Sequence, residues 1–259
     1  MPADLAPAPR AAEAARLRPY FDLQLTFAEH LGAATGLGIG EAVALYTTFR
    51  TRMGLQNDSA PAAAAWNIYL ARLPDLPDRA ARSDWTAEVF AALPAPPPIP
   101  PGQTGFGCFA CEAPDGEGRV RIHFGNRDSD GDIGPLDERK RAARMAELTA
   151  MFTHLRDRHP DAASVHGASW LYNTRGYRRL FPSAYGASAI PPEGPVRLTG
   201  TSSWGQFLDF RQDIKTPLRD AFLARFGDLD PAAPWRIFPL WPLRTQAPFA
   251  DFLSFYGLT

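Results

Sequence analysis

The chain has 259 residues, of which 45% are hydrophobic and 21% charged, the composition of a globular protein able to bury a medium core and a smaller one. A formal net charge of −1 lacks the basic excess needed to neutralise many phosphates, which argues against nucleic acid as a partner. No stretch approaches the roughly 18 apolar residues of a membrane span, and the first twenty residues carry no signal-type apolar run. A cytoplasmic protein without a membrane partner is therefore expected.

After a start expected to be flexible over residues 1–16, four amphipathic helices follow in order. Tyr20, Leu23, Phe27 and Leu31 share a helical face that ends near Gly36, and Val43, Tyr46, Phe49 and Met53 mark the second helix. Ser59 caps the third, with Pro61 in its first turn and Trp66, Tyr69, Leu70 and Leu73 as its stripe. Asp84 opens the fourth, where Trp85, Val89 and Leu93 line up. The glycine run Gly36-Leu37-Gly38-Ile39-Gly40 has no strand before it, so it reads as a helix stop and not a dinucleotide loop.

These helices define a small helical domain over 17–93. The run PAPPPIPPG, within 94–103, is a semi-rigid linker. Residues 104–259 change character. The segments 105–113 and 119–126 read as a hairpin around the turn PDGEG, with Val120, Ile122 and Phe124 alternating against polar neighbours. A helix over 135–158 turns Met145, Leu148, Phe152 and Leu155 to a core, and 164–172 reads as a third strand followed by a short helix over 174–182. Residues 196–200 and the aromatic, proline-broken 234–243 are strand candidates, 204–210 and 216–227 look helical, and 248–258 closes the chain as a helix. The expected class is α+β: a helical domain followed by an α/β domain with a mixed central sheet.

Cys108 and Cys111 form a C-x-x-C, but the segment runs into a turn and not a helix N-terminus, and no second pair completes a zinc site. Two strand cysteines are expected. The acidic stretch after the hairpin fits the register of a calcium loop counted from Asn126. Asn126, Asp128 and Asp130 fall at the first three ligand positions, Gly131 at the sixth, Asp132 at the seventh through its carbonyl, and Asp137 at the twelfth. The same residues also suit a solvated helix-entry turn, with Asp137 and Glu138 at the positive end of the helix dipole. That plainer reading is preferred. The cluster Arg139, Lys140, Arg141 and Arg144 reads as a solvated helix face, or alternatively as an anion contact.

The densest polar stretch runs from His166 to Tyr185. Ser169, Tyr172, Asn173, Arg175, Arg178 and Arg179 follow the end of a buried strand, where α/β sheets bind ligands. The competing reading makes Trp170, Leu171, Tyr177, Leu180 and Phe181 core, with the arginines turned outward. No G-x-S-x-G elbow, H-E-x-x-H or P-loop is present.

Residues 119–188 resemble the C-terminal half of bacterial GNAT-like acyltransferase proteins. The shared pieces are a strand ending Ile122-His123-Phe124, an acidic turn with Gly134-Pro135-Leu136, and an amphipathic helix ending before a proline. Ser169-Trp170-Leu171 and Leu180-Phe181-Pro182 follow. The resemblance implies an acyl-CoA N-acyltransferase-like fold, enzyme or pseudoenzyme, with acyl-CoA as the ligand. The R/Q-x-x-G-x-G/A loop that holds the CoA pyrophosphate in that family has no counterpart here. In an active version His123 or His166 would accept a proton from an amine, and Arg175, Arg178 and Arg179 would meet a small anionic ligand. The alternative is a non-catalytic binding or scaffold protein whose interface lies around Trp235 and Trp241, with or without a calcium-stabilised loop.

Overall fold

A computed structural model describes residues 10–57, 59–128, 132–193 and 198–259. The chain is α+β and divides into two compact units, Met1–Pro97 with Gly194–Pro239, and Pro98–Glu193 with Leu240–Thr259. Among the described residues no helix is long and apolar enough to cross a membrane.

Helix α1, Ala11–Thr35, begins before the start expected from the sequence and ends at Gly36, whose φ of 74° suits a residue without a Cβ. Its first turn is anchored by Arg10, which pairs with Glu13 at 2.9 Å and lies over the Phe90 ring. The expected second helix is two: α2, Ile39–Tyr46, and α3, Phe49–Arg52. The break sits at Thr47 and Thr48, where the buried Gln24 carboxamide accepts from the Thr48 backbone N–H at 2.7 Å and its hydroxyl at 3.0 Å. Helix α4, Ala60–Arg72, starts on its Ser59 cap. Helix α5, Arg79–Ala92, is capped by Asp78 and not by Asp84, which instead bonds Arg18 at the surface.

Strands β1, Gln103–Phe106, and β2, Phe109–Glu112, divide the single strand expected over 105–113. The cause is Gly107: its φ is +60°, and a Cβ there would collide with the Glu147 carboxyl group. Cys108 therefore lies in a turn, and only Cys111 is on a strand; both are free and buried. Strand β3, Arg119–Phe124, is followed by a 3-10 turn at Glu138–Lys140 and by α6, Arg141–Arg158. Then come β4, Ser164–Ser169, a 3-10 turn at Trp170–Asn173, and the short helices α7, Arg175–Arg178, and α8, Ser183–Ala187.

The chain then returns to the helical unit with α9, Thr201–Trp204, and α10, Thr216–Leu223. Residues 194–239 thus go with the helices and not with the C-terminal domain expected to hold them. The reason is aromatic packing: the rings of Trp204 and Phe222 lie 5.0 and 4.8 Å from Phe238, and Phe27 of α1 lies 5.5 Å from Trp204. Val196 and Arg197 of the strand candidate 196–200 lie outside the described residues, and Leu198–Gly200 form no strand. The candidate strand 234–243 is a 3-10 turn at Pro234–Ile237, its backbone ladder interrupted by prolines, and the strand proper is β5, Leu243–Pro248. Helix α11, Phe249–Phe255, ends the chain's regular structure.

The sheet has the order β1-β2-β3-β4-β5, with β3 and β4 parallel across the α6 connection and all other pairs antiparallel. One face carries Val120, Ile122, Val165 and Ala247 into a core completed by α6, α8 and α11, where Phe152 stacks on Phe252 at 4.8 Å. By strand alternation the other face carries Arg119, Arg121 and His123 from β3, with His166 and Gln246 in the register row of Arg121.

Candidate functional site

The two parallel strands share only three register pairs, Arg119–Ser164, Val120–Val165 and Arg121–His166. Beyond them β3 continues to Phe124 against β2, and β4 continues to Ser169 against β5. The C-terminal ends of β3 and β4 therefore part. On the core side the Tyr172 and Tyr185 hydroxyls, bonded to each other at 2.8 Å, press against Gly167 of β4, where a Cβ would collide with both. Burial raises both phenols well above their ordinary range, so they remain neutral.

On the opposite face, His123 Nε2 lies 2.7 Å from Glu112 Oε1. An ionised carboxylate only accepts, so Nε2 carries a proton in this bond, and in the neutral ring the lone pair is then on Nδ1. His166 Nε2 meets the Ser164 hydroxyl at 2.9 Å. Its pKa is lowered, first by burial and then by the Arg119 guanidinium, which favours the neutral ring. Both histidines thus stand on the sheet face away from the helices.

The ligand candidates after β4 separate into two groups. Ser169 caps the following 3-10 turn by accepting from the Leu171 N–H, Tyr172 is buried, and Asn173 donates to the Trp170 and Trp241 carbonyls at 2.8 Å each. Ser169 and Asn173 thus hold the backbone, and Tyr172 commits its hydroxyl to Tyr185. Arg175, Arg178 and Arg179 instead converge on a cleft of about 410 Å³, with Phe181 and Ser183 also in its wall. Arg179 is tied to Glu138 and to the Leu136 carbonyl, whereas Arg175 and Arg178 are exposed. Their helices present Tyr177, Leu180, Phe181 and Tyr185 to the core, so the cleft lies on the helix-covered side.

In the acidic stretch, Asp128 accepts from Lys140 Nζ at 2.8 Å and from Arg144 Nη2 at 2.7 Å. Asp137 caps the 3-10 turn and binds Arg139. Asp130 and Gly131 lie outside the described residues, which Asn126 and Asp132 flank. Among the described residues, no group of three or more His, Cys, Asp or Glu side chains is arranged to hold a metal ion. A calcium ion on Asp128 would compete with two cations already bonded to it.

The basic cluster is only in part the solvated face expected. Arg144 is only 2% exposed and also bonds Glu147 at 2.7 Å, the Cys108 sulfur at 3.0 Å and the Pro135 carbonyl at 3.3 Å. Lys140 is likewise buried, while Arg139 and Arg141 are exposed. Burial pushes the Cys108 thiol up and Cys111 to about 11, the reverse of an activated thiolate. Of the two tryptophans expected at an interface, Trp235 is 4% exposed within the helical core and Trp241 is 38% exposed.

Glu112 was not among the sequence candidates. Its pairing with His123 follows from the β2–β3 register, in which Ala110 faces His123 and Cys111 faces Ile122. The turn PDGEG signals the hairpin but leaves that register open. No protein-family model, curated protein or solved structure matches the chain.

Proposed function

We propose that the unit of residues 98–193 and 240–259 is an acyl-CoA N-acyltransferase-like domain, as an enzyme or a pseudoenzyme. The observation that carries this reading is the parting of the parallel strands β3 and β4 at their C-terminal ends, the place where α/β sheets receive ligands. Ile122-His123-Phe124 and Ser169-Trp170-Leu171, two pieces of the family resemblance, lie at those strand ends. The anionic part of the ligand would meet Arg175, Arg178 and Arg179 in their cleft, in place of the missing glycine loop.

Such a ligand supplies a thioester carbonyl open to attack by an amine. His123 takes the amine proton at Nδ1, and Glu112 holds the ring and stabilises the imidazolium that forms. His166, kept neutral by burial, is the second group able to accept a proton on that face. Release of free thiol from acetyl-CoA in the presence of an amine measures the reaction. His123→Gln should lower the rate by about 10²-fold or more, with acetyl-CoA affinity unchanged.

Non-catalytic ligand binding is the second reading. It is favoured by the placement of the arginines on the helix-covered side and the histidines on the other. Acetyl-CoA binding without thiol release from any amine would select it.

A further inference from the structure

Strand alternation puts Ser164 and His166 of β4 on one face of the sheet, the face away from the helices. The Ser164 hydroxyl and His166 Nε2 lie 2.9 Å apart, within the reach a nucleophile needs of its base. The strand that carries them is paired on both sides, so a rigid element fixes their separation. Ser164 stands between Arg119 of β3 and Pro248 of β5, and His166 between Arg121 and Gln246. Both side chains are half-buried and so reachable from solvent. Arg119 bonds Asp115 through Nε and Glu117 through Nη1, at 2.8 Å each, and keeps Nη2 as its remaining donor.

We infer that Ser164 and His166 form a nucleophilic dyad, a second active site that hydrolyses small uncharged esters through an acyl-serine. It stands apart from the acyl-CoA reading, whose Glu112, His123 and arginine cleft it leaves unused. The charges acting on His166 are mixed, Arg119 and Arg121 against Asp115 and Glu117, which favours a substrate without charge. Ser164 Oγ attacks the ester carbonyl as its proton passes to His166 Nε2, which burial and the Arg119 charge keep neutral and able to accept it. Arg119 Nη2 is the donor for the oxyanion. The C–O bond to the alcohol then breaks, and the imidazolium returns the proton to the leaving oxygen. Water attacks the acyl-serine by the same route, releasing a carboxylic acid and restoring the Ser164 hydroxyl. Among the described residues no carboxylate bonds His166, so a slower reaction than that of a full triad is expected.

The test treats the full chain with a fluorophosphonate probe, which a serine nucleophile attacks at phosphorus with loss of fluoride, and locates the label by peptide mass mapping. Hydrolysis of p-nitrophenyl acetate by the same protein follows turnover. The dyad predicts one phosphonyl group on Ser164, none in Ser164→Ala, and labelling about 10²-fold slower in His166→Gln. Mapping the unsubstituted chain needs no variant, so the site is tested even where Ser164→Ala fails to fold. No label, a label on another residue, equal labelling of His166→Gln, or ester hydrolysis undiminished in Ser164→Ala would overturn the dyad. The probe requires no acetyl-CoA, so absence of acetyl-CoA binding counts against the acyltransferase reading alone.

Discussion

Arg144→Met is the most discriminating substitution for the packing of the sheet unit. The arginine is buried, and its guanidinium joins Asp128, Glu147, Cys108 and Pro135. Methionine fills much of the same volume, so the loss is electrostatic rather than a cavity. Asp128 is 39% exposed on its side chain and can be rehydrated, which makes its share small. Glu147 is 19% exposed and would keep only its bond from the Cys108 N–H at 3.0 Å. Leaving one buried partner uncompensated costs about 3–5 kcal/mol when burial is complete. With water reaching Asp128 and partly Glu147, about 2–4 kcal/mol is expected here. Urea denaturation followed by tryptophan fluorescence measures it, with Asp128→Asn as the control expected to change little. Equal loss in the two variants, or a methionine variant as stable as wild type, would refute the reasoning.

Gly167→Ala drives a Cβ into the Tyr172 and Tyr185 hydroxyls and should cost about 1–3 kcal/mol; Tyr172→Phe in the same chain should recover part of it, measured by thermal denaturation. The calcium register predicts that millimolar calcium raises the melting temperature, and a scan without a shift would end that proposal in favour of the helix-entry turn. The carboxyls of Asp115 and Asp137 are held at about 2 by hydrogen bonds from Arg119 and Arg139 respectively. Their contribution is present above the ordinary carboxyl range near 4 and is lost as pH falls towards 2, so stability should decline across that window. His166 has a lowered folded pKa, so its neutral form contributes above about 6.5. That contribution fades on acidification, and His166→Gln should flatten the slope of stability with pH below neutrality.

Short-range patterns carried most of the element types. The stripes of Tyr20 to Leu31, of Trp66 to Leu70 and of Met145 to Leu155 repeat with the helical period, and α1, α4 and α6 lie where those stripes are. What depended on distant residues was not readable. Nothing local to Trp204, Phe207 or Phe222 states which of two aromatic cores they join. Two aspartates six residues apart compete for the α5 cap, and only Asp78 reaches a free N–H. Arg144 looks like one more surface arginine in a basic run, and its burial depends on Asp128, Glu147 and a turn at Gly107. The proximity of Arg175, Arg178 and Arg179 was legible because they share one short helix and its end. The His123–Glu112 pair was hidden because a shift of one residue in hairpin register would turn the partner away.

Calorimetric titration of the full chain with acetyl-CoA tests the central claim most directly. A single site of low-micromolar affinity is expected, weakened by about tenfold or more in Arg175→Glu/Arg178→Glu, since each lost charge-assisted contact is worth about 1.5–3 kcal/mol. Absence of binding, or binding indifferent to those two arginines, would contradict it.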